Sequence, residues 1–310
     1  MKLLIELPTW LGDAVMATPA IENIISHFKN VEITLIGSLV SVEALQNHPR
    51  VIQTYFVDKR FSNFYKTLSD LDEFDLFFSF RGSLRAKLFK LFVSSKVKNQ
   101  YSKDKYKRGH QVEKYNNFIN TSLKIQTVAK KLIIHSDNEN TNNRTKKIVG
   151  INPGASYGNA KRWYPENFAD VASNLSGTYD ILIFGGANEK NIADDVENQL
   201  IKKGITNYQN LAGKTSLNEL ILEISKLDLF VTGDSGPMHI AAAFQIPTVS
   251  IFGPTKDEET SQWMNEKSRV FKKNLACQPC MKRACPLKHH NCMKLINASE
   301  VVYAVNSINY

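Results

Sequence analysis

The sequence lacks any long apolar run. No stretch of about 20 consecutive apolar residues occurs in the chain, so we expect no membrane-spanning helix. The first eight residues form only a short apolar run, which contains Glu6 and has no small-residue cleavage site. We therefore expect no signal peptide and predict a cytoplasmic protein.

Cysteine is absent before position 277. All four cysteines lie close together near the end of the chain, which argues against a disulfide framework in a cytoplasmic protein. They are Cys277, Cys280, Cys285 and Cys292, with His289 and His290 beside them. Two interpretations stay open: reduced thiols in an ordered loop, which is the default, or a structural zinc site whose ligand spacing differs from that of a standard ribbon.

Acidic residues are outnumbered by basic ones. The 310 residues include 39 Lys and Arg against 30 Asp and Glu, which gives a net charge of +9. The hydrophobic share of 43% is that of an ordinary globular protein. Because the cations are scattered along the chain, they indicate either a solvated basic surface or an anionic partner, such as a phosphorylated glycan, lipid head groups or nucleic acid.

Short apolar runs alternate with helical patterns in both halves of the chain. The runs predict strands at residues 3–7, 32–36, 52–57 and 75–80, and again at 148–151, 180–184, 229–232 and 248–252. Apolar residues at helical spacing predict helices at 165–175, 188–203 and 217–227. Residues 136–147 are polar and without periodicity, which is typical of a linker. We predict two doubly wound parallel sheets, one on each side of this linker.

The loop after the strand at 148–151 is the first candidate phosphate site. It lacks both G-x-G-x-x-G and G-x-x-x-x-G-K-[ST], so neither the dinucleotide fingerprint nor the P-loop applies. Gly154 and Ala155 allow a phosphate to approach the backbone, and Lys161 supplies a compact positive charge. Ser156 lies in the same loop, and we include it among the candidate donor-binding residues.

A helix start after the strand at 229–232 is the second candidate anion site. Ser235 is a suitable N-cap, and Pro237 fits the first turn of a helix of small residues. The free backbone N–H groups at such a start, including that of Gly236, bind anions. His239 lies in the first turn, where either contact with a phosphate or simple packing is consistent with the sequence.

Asp13 follows the first predicted strand. In open α/β sheets the ligand crevice lies outside the carboxyl ends of the strands, so this carboxylate is expected there. An N-cap role for Asp13 is the alternative, since any helix start accommodates an aspartate. A second start signal at Thr18-Pro19 predicts a short first turn followed by the main helix.

Together these segments resemble glycosyltransferase family 9, the bacterial ADP-heptose:lipopolysaccharide heptosyltransferases. The similarity is carried by Gly12-Asp13, by residues 153–163 and by residues 233–243. The segment 160–163 and the cysteine-rich tail are more similar to the branch that adds the second heptose. The resemblance implies a GT-B fold, with two Rossmann-like domains facing across a cleft. The domains are expected at 1–140 for the acceptor and 148–310 for the nucleotide sugar, with the last helix free to pack back on the first domain.

The resemblance also assigns roles to residues. It implies inverting transfer of heptose from ADP-heptose to the lipopolysaccharide inner core, with Asp13 as the catalytic base and Lys161 as the phosphate-binding lysine. The family's donor-site residues fall on Asp234, Ser235, Gly236 and His239. Since these groups can hold the charge of the leaving diphosphate, no metal or other cofactor is expected. The single D-x-D match, Asp70-Leu71-Asp72, is interpreted as surface.

The acceptor implied by the resemblance is an anionic glycan. Arg81 and Ser83 follow the strand at 75–80, so they are expected at the same sheet edge as Asp13. Arg85 is a third acceptor candidate, although a solvated helix face would explain it equally well. The expected location is the cytoplasm, with peripheral contact to the inner membrane open and no nucleic-acid partner. The alternatives are a transferase of the first heptose, a sugar-nucleotide epimerase on the same fold, and a polyanion-binding protein.

Overall fold

A computed structural model describes residues 1–57, 69–136 and 145–308 of the chain. It divides into two compact units, Met1–Asp137 and Asn138–Tyr310. Most of the predicted linker at 136–147 lies outside the described residues. Among the helices of the described ranges, none combines the length and the apolar character needed to cross a bilayer.

Within its described residues, the first unit holds a parallel sheet of five strands in the order β3-β2-β1-β4-β5. Strand β1 is central, and its Leu3, Leu4 and Ile5 are fully buried. The strands are β1 (Lys2–Glu6), β2 (Glu32–Gly37), β3 (Val51–Phe56), β4 (Phe74–Ser79) and β5 (Ser95–Gln100). The helices are α1 (Leu11–Met16), α2 (Thr18–His27), α3 (Leu39–Leu45), α4 (Leu84–Phe92) and α5 (Gln111–Leu123).

In the described part of the second unit, six parallel strands are ordered β11-β10-β9-β6-β7-β8. They are β6 (Lys147–Asn152), β7 (Tyr179–Ile183), β8 (Tyr208–Asn210), β9 (Leu229–Gly233), β10 (Thr248–Ile251) and β11 (Ser268–Phe271). The α-helices are α6 (Pro165–Leu175), α7 (Lys190–Lys202), α8 (Leu217–Ser225), α9 (Gly236–Ala243), α10 (Asp257–Thr260), α11 (Asn291–Lys294) and α12 (Ala298–Ser307). A 3₁₀ turn, Asn159–Lys161, precedes α6.

Both sheets have the strand order of the Rossmann fold, so the predicted α/β class with two Rossmann-like domains is confirmed. The order reverses between β1 and β4 in the first sheet and between β6 and β9 in the second. Ligands of such sheets bind outside the carboxyl ends of the strands at this reversal. Those ends carry Glu6 and Ser79 in the first unit and Asn152 and Gly233 in the second.

The last helix, α12, packs against α6 of its own unit. Its Val301 and Val305 are buried in the same apolar core as Phe168 of α6. The amphipathic patterns of both helices explain this packing, since each places its apolar residues on one face. Val301 and Val305 of α12 therefore belong to the core of the second unit.

Candidate active site

A buried ion pair lies at the carboxyl ends of β6 and β9. Nζ of Lys161 is 2.6 Å from Oδ2 of Asp234, and the two side chains are only 13% and 5% exposed. Thr255 donates its hydroxyl hydrogen to the same carboxylate oxygen. Nζ of Lys161 also lies 4.8 Å from the ring centroid of Tyr157. The lysine is therefore held in one place at the reversal point of the sheet.

The helix start at Ser235 lies beside this ion pair. Ser235 occupies the N-cap position of α9, as predicted, but its side chain makes no capping hydrogen bond. Its hydroxyl lies 3.1 Å from Nδ2 of Asn152, which donates to it, and 3.1 Å from the hydroxyl of Thr232. The first N–H groups of a helix have no acceptor within the helix, so this start retains its capacity for an anion. His239, in the first turn of α9, is buried and 3% exposed.

Ser156 lies apart from the ion pair, against a carboxylate that sequence reasoning missed. Its hydroxyl donates to Oε1 of Glu189 at 3.2 Å, and the backbone N–H of Gly186 donates to Oε2 at 2.9 Å. A Cβ atom at Gly154 would lie 2.5 Å from Cδ of Glu189, so a larger residue there would require the Glu189 side chain to move. The sequence feature that could have identified Glu189 is its position shortly after the carboxyl end of β7, where ligands of such sheets bind.

The loop that carries the four cysteines, residues 277–292, packs against residues 153–163, called here the lysine loop. The backbone N–H of Ala160 donates to the carbonyl of Arg283, and the Tyr157 hydroxyl donates to the carbonyl of Met281. A Cβ at Gly158, where φ is +156°, would lie 2.4 Å from that Arg283 carbonyl oxygen. These contacts hold the segment between Ser156 and Lys161 in place.

All four cysteines line one cavity of this loop and are free thiols. Burial, reinforced by the neighbouring thiols, raises the pKa of Cys292 to about 11. The ring of His290 contacts the carbonyl of Ala160 at 3.0 Å and the Tyr164 hydroxyl at 3.3 Å. No three cysteine, histidine or carboxylate ligand atoms of this loop lie within 4.8 Å of one another, in a search of the described residues. The zinc interpretation thus has no preassembled ligand set in this conformation.

In the described ranges, one cluster of possible metal ligands has its ligand atoms within 4.8 Å of one another. It consists of Glu22, His48 and His135. The backbone N–H of Arg50 donates to Nδ1 of His48 at 3.0 Å. Neutral His48 therefore carries its proton on Nε2, which lies 3.0 Å from the Glu22 carboxylate. This hydrogen bond uses the lone-pair direction that a metal ion would need.

A second buried ion pair lies at the reversal point of the first sheet, and its acid was not predicted. Nη1 of Arg81 is 3.2 Å from Oε1 of Glu6, whose side chain is 6% exposed. Ser79 donates its hydroxyl hydrogen to the other carboxylate oxygen. Burial raises the pKa of Glu6, while Ser79, Arg81 and Arg85 oppose that rise. Glu6, Arg81 and Arg85 line the same small cavity.

Asp13 is not an N-cap. The N-cap of α1 is Trp10, and Asp13 lies in the first turn of the helix, half-buried. Its charge and the burial of the phenol raise the pKa of Tyr115 on α5, with burial the larger cause. The predicted short first turn and main helix are present as α1 and α2, although Thr18 is the first residue of α2 rather than its cap.

The remaining predicted residues lie at the surface. Ser83 is exposed and caps α4, since its hydroxyl oxygen accepts from the N–H of Ala86 at 3.2 Å. Asp70 and Asp72 are exposed, as predicted, and Asp72 pairs with Lys2 at 3.1 Å. The structure therefore brings Lys161, Asp234 and Ser235 together in the second unit. In the first unit it brings Arg81 and Arg85 to Glu6.

Known proteins resemble this chain over its full length. A lipooligosaccharide heptosyltransferase 2 of Campylobacter jejuni is 42% identical over 310 residues, which cover 97% of this chain and 96% of that protein. The structure of E. coli ADP-heptose lps heptosyltransferase II matches with a TM-score of 0.82 at 20% identity, covering 99% of this chain and 98% of that one. E. coli heptosyltransferase WaaC with ADP matches with a TM-score of 0.78 at 15% identity, covering 100% of both chains.

The two structural matches show the fold, and the sequence comparisons show the family. The profile of glycosyltransferase family 9 (heptosyltransferase) matches residues 76–291, which include the lysine loop, the ion pair and the helix start at Ser235. This chain therefore belongs to glycosyltransferase family 9, the heptosyltransferases, and is a glycosyltransferase.

Proposed function

We propose that this enzyme transfers heptose from ADP-heptose to the inner core of lipopolysaccharide, adding the second heptose. The observation that carries the proposal is the full-length similarity to a lipooligosaccharide heptosyltransferase 2. The proposed site of action is the cytoplasmic face of the inner membrane, with no nucleic-acid partner. The buried ionic sites at the reversal points of both sheets support a reaction between charged substrates.

In this proposal the second unit binds ADP-heptose. The diphosphate lies against Lys161 and the first turn of α9, where a fixed cation and unsatisfied N–H groups face one anion. Asp234 holds Lys161 in place, and the pair as a whole carries no net negative charge that would repel the diphosphate. His239 lies in the same first turn as a further donor-site residue. Ser156 and Glu189 offer a hydroxyl and a carboxylate to hydroxyl groups of the donor.

The proposed transfer reaction requires a base for the acceptor hydroxyl and stabilisation of the leaving ADP. Asp13 removes the proton from the acceptor hydroxyl as that oxygen attacks the anomeric carbon, and ADP departs from the opposite face, which inverts the configuration. General-base catalysis contributes about 10²–10⁴-fold. Lys161 and the start of α9 stabilise the charge that develops on ADP, a task that preorganised donors perform without a metal ion.

The first unit binds the acceptor in this proposal. Arg81 and Arg85 lie beside Glu6, so this edge of the sheet carries two cations for one buried carboxylate. This excess of positive charge suits phosphate or carboxylate groups of an inner core. Ser83 is exposed at the start of α4, and its capping oxygen still leaves the hydroxyl hydrogen for a ligand.

Incubation with ADP-heptose and a panel of truncated core acceptors tests the proposal. We expect ADP release and a mass increase of one heptose only with acceptors that already carry the first heptose. The Asp13→Asn variant serves as the control for background hydrolysis. Transfer to an acceptor without heptose would instead indicate a first-heptose enzyme. Conversion of the sugar nucleotide without any acceptor would indicate an epimerase.

A further inference from the structure

Helix α4, Leu84–Phe92, is apolar on two opposite faces. One face is buried in the first unit through Ala86 and Phe89, followed by Val93 at the helix end. The other face presents an exposed apolar stripe at positions i, i+4, i+7 and i+8. Its members are Leu84, Leu88, Leu91 and Phe92, which are 74%, 39%, 70% and 59% exposed. Packing of the helix on the sheet does not explain why this second face is also apolar.

The stripe lies in a part of the sequence that is basic and free of acidic residues. Residues 76–103 contain seven Lys and Arg residues and no Asp or Glu. Lys87 lies exposed within the face itself, and Lys90 follows one turn later. The neighbouring edge strand β5 adds Val97, which is 49% exposed, and its Lys98 donates to the carbonyl of Leu91 at 3.3 Å. Lys96 of the same strand pairs with Asp75 at 2.7 Å.

We propose that this stripe, with the lysines beside it, is a docking surface for an anionic lipid bilayer. Leucine and phenylalanine side chains enter the boundary between head groups and acyl chains, while nearby lysines contact anionic head groups. Isolated exposed apolar residues are ordinary, but four on one helix face form a patch of the kind that marks interaction sites. The positive charge selects a negatively charged surface as that partner.

If the proposed function is correct, the position of the stripe explains what docking on a bilayer would achieve. Ser83 caps α4, and Arg81 lies just before it beside Glu6. A bilayer on the stripe is therefore close to the residues proposed to bind the acceptor, whose lipid end is embedded in that bilayer. The surface would present lipid-anchored acceptors in preference to soluble ones.

Vesicle flotation tests the surface with the full-length protein. The probes are vesicles of phosphatidylethanolamine with phosphatidylglycerol, and vesicles of phosphatidylcholine alone. We expect flotation with the anionic vesicles at low salt and little with the neutral ones. Leu91→Gln/Phe92→Gln should lower the partition coefficient by about tenfold for each side chain. Lys87→Gln/Lys90→Gln should lower it by about fivefold for each charge.

Val128→Gln/Ile201→Gln is the matched control, since these side chains are 77% and 56% exposed elsewhere. It should float like the wild type, and circular dichroism should show all variants folded. Equal flotation of Leu91→Gln/Phe92→Gln and wild type would overturn the proposal. So would a solution dimer that this variant dissociates, because a second copy would then cover the stripe. Absence of transfer to every acceptor, whether soluble or anchored in vesicles, with flotation intact, would instead refute the proposed function alone.

Discussion

Replacing Lys161 with methionine separates two roles of this side chain, namely holding Asp234 and binding the donor. Asp234 is 5% exposed and, among the side-chain contacts of the described residues, its carboxylate would keep the hydrogen bond from Thr255. Breaking a buried pair by removing one partner costs about 3–5 kcal/mol, because it leaves a buried charge uncompensated. For a unit of this size that corresponds to a fall of about 6–20 °C in the melting temperature. Loss of one charge-assisted contact to phosphate should weaken ADP binding by about 10–150-fold.

The double variant Lys161→Met/Asp234→Asn distinguishes these effects. An amide at position 234 still accepts from Thr255 but carries no charge, so stability should largely return. ADP affinity should stay low, because the lysine is still missing. Thermal unfolding followed by circular dichroism measures the first quantity, and calorimetric titration with ADP measures the second. Wild-type ADP affinity in the double variant would refute the reasoning, since Lys161 would then serve only to neutralise Asp234.

Four further predictions concern the base, the acceptor, the metal and the thiols. Asp13→Asn should lower kcat by about 10²–10⁴-fold with ADP affinity unchanged in titration, and a variant that kept more than a tenth of the activity would remove Asp13 from the mechanism. Arg81→Ala should raise the acceptor KM, measured by ADP release, without weakening ADP binding, and it should lower the melting temperature because Glu6 loses its partner. Activity should survive exhaustive EDTA treatment, whereas loss restored by magnesium or manganese would show that a metal holds the diphosphate. Burial raises the pKa of Cys292 to about 11, so this cysteine should be the last one alkylated by iodoacetamide at pH 8. The free energy of unfolding should fall as the pH rises from 9.0, the ordinary pKa of a cysteine thiol, towards 11, because only the unfolded chain loses this proton in that range.

Interior strands were predictable from sequence, and most edge strands were not. The eight predicted strands lie within one residue of their observed ends. The missed strands are β5, β8 and β11, and all three lie at the edge of a sheet. An edge strand has neighbours on one side only, so its sequence carries no continuous apolar run, as in the Ser95–Gln100 segment.

The candidate site was predictable where a motif carried it. Lys161, Asp234 and Ser235 come from two segments with family resemblance, and the fold brings them together. Glu6 was not predicted, because a glutamate within an apolar strand gives no local sign of a partner 75 residues away. Glu189 was missed for a similar reason, since its contacts with Ser156 arise from the turn after another strand.

The start of α9 shows a thermodynamic compromise in the second unit. Ser216, at the start of α8, accepts from the N–H of Glu219, as a serine in that position ordinarily does. Ser235 has the same side chain and position but is held by Asn152 and Thr232, so its helix forgoes a cap worth about 1 kcal/mol. A Ser235→Asp substitution would restore that cap and place a negative charge where the diphosphate is expected. Selection for stability alone would favour such a residue, so the missing cap is the stability that the proposed anion site costs this fold.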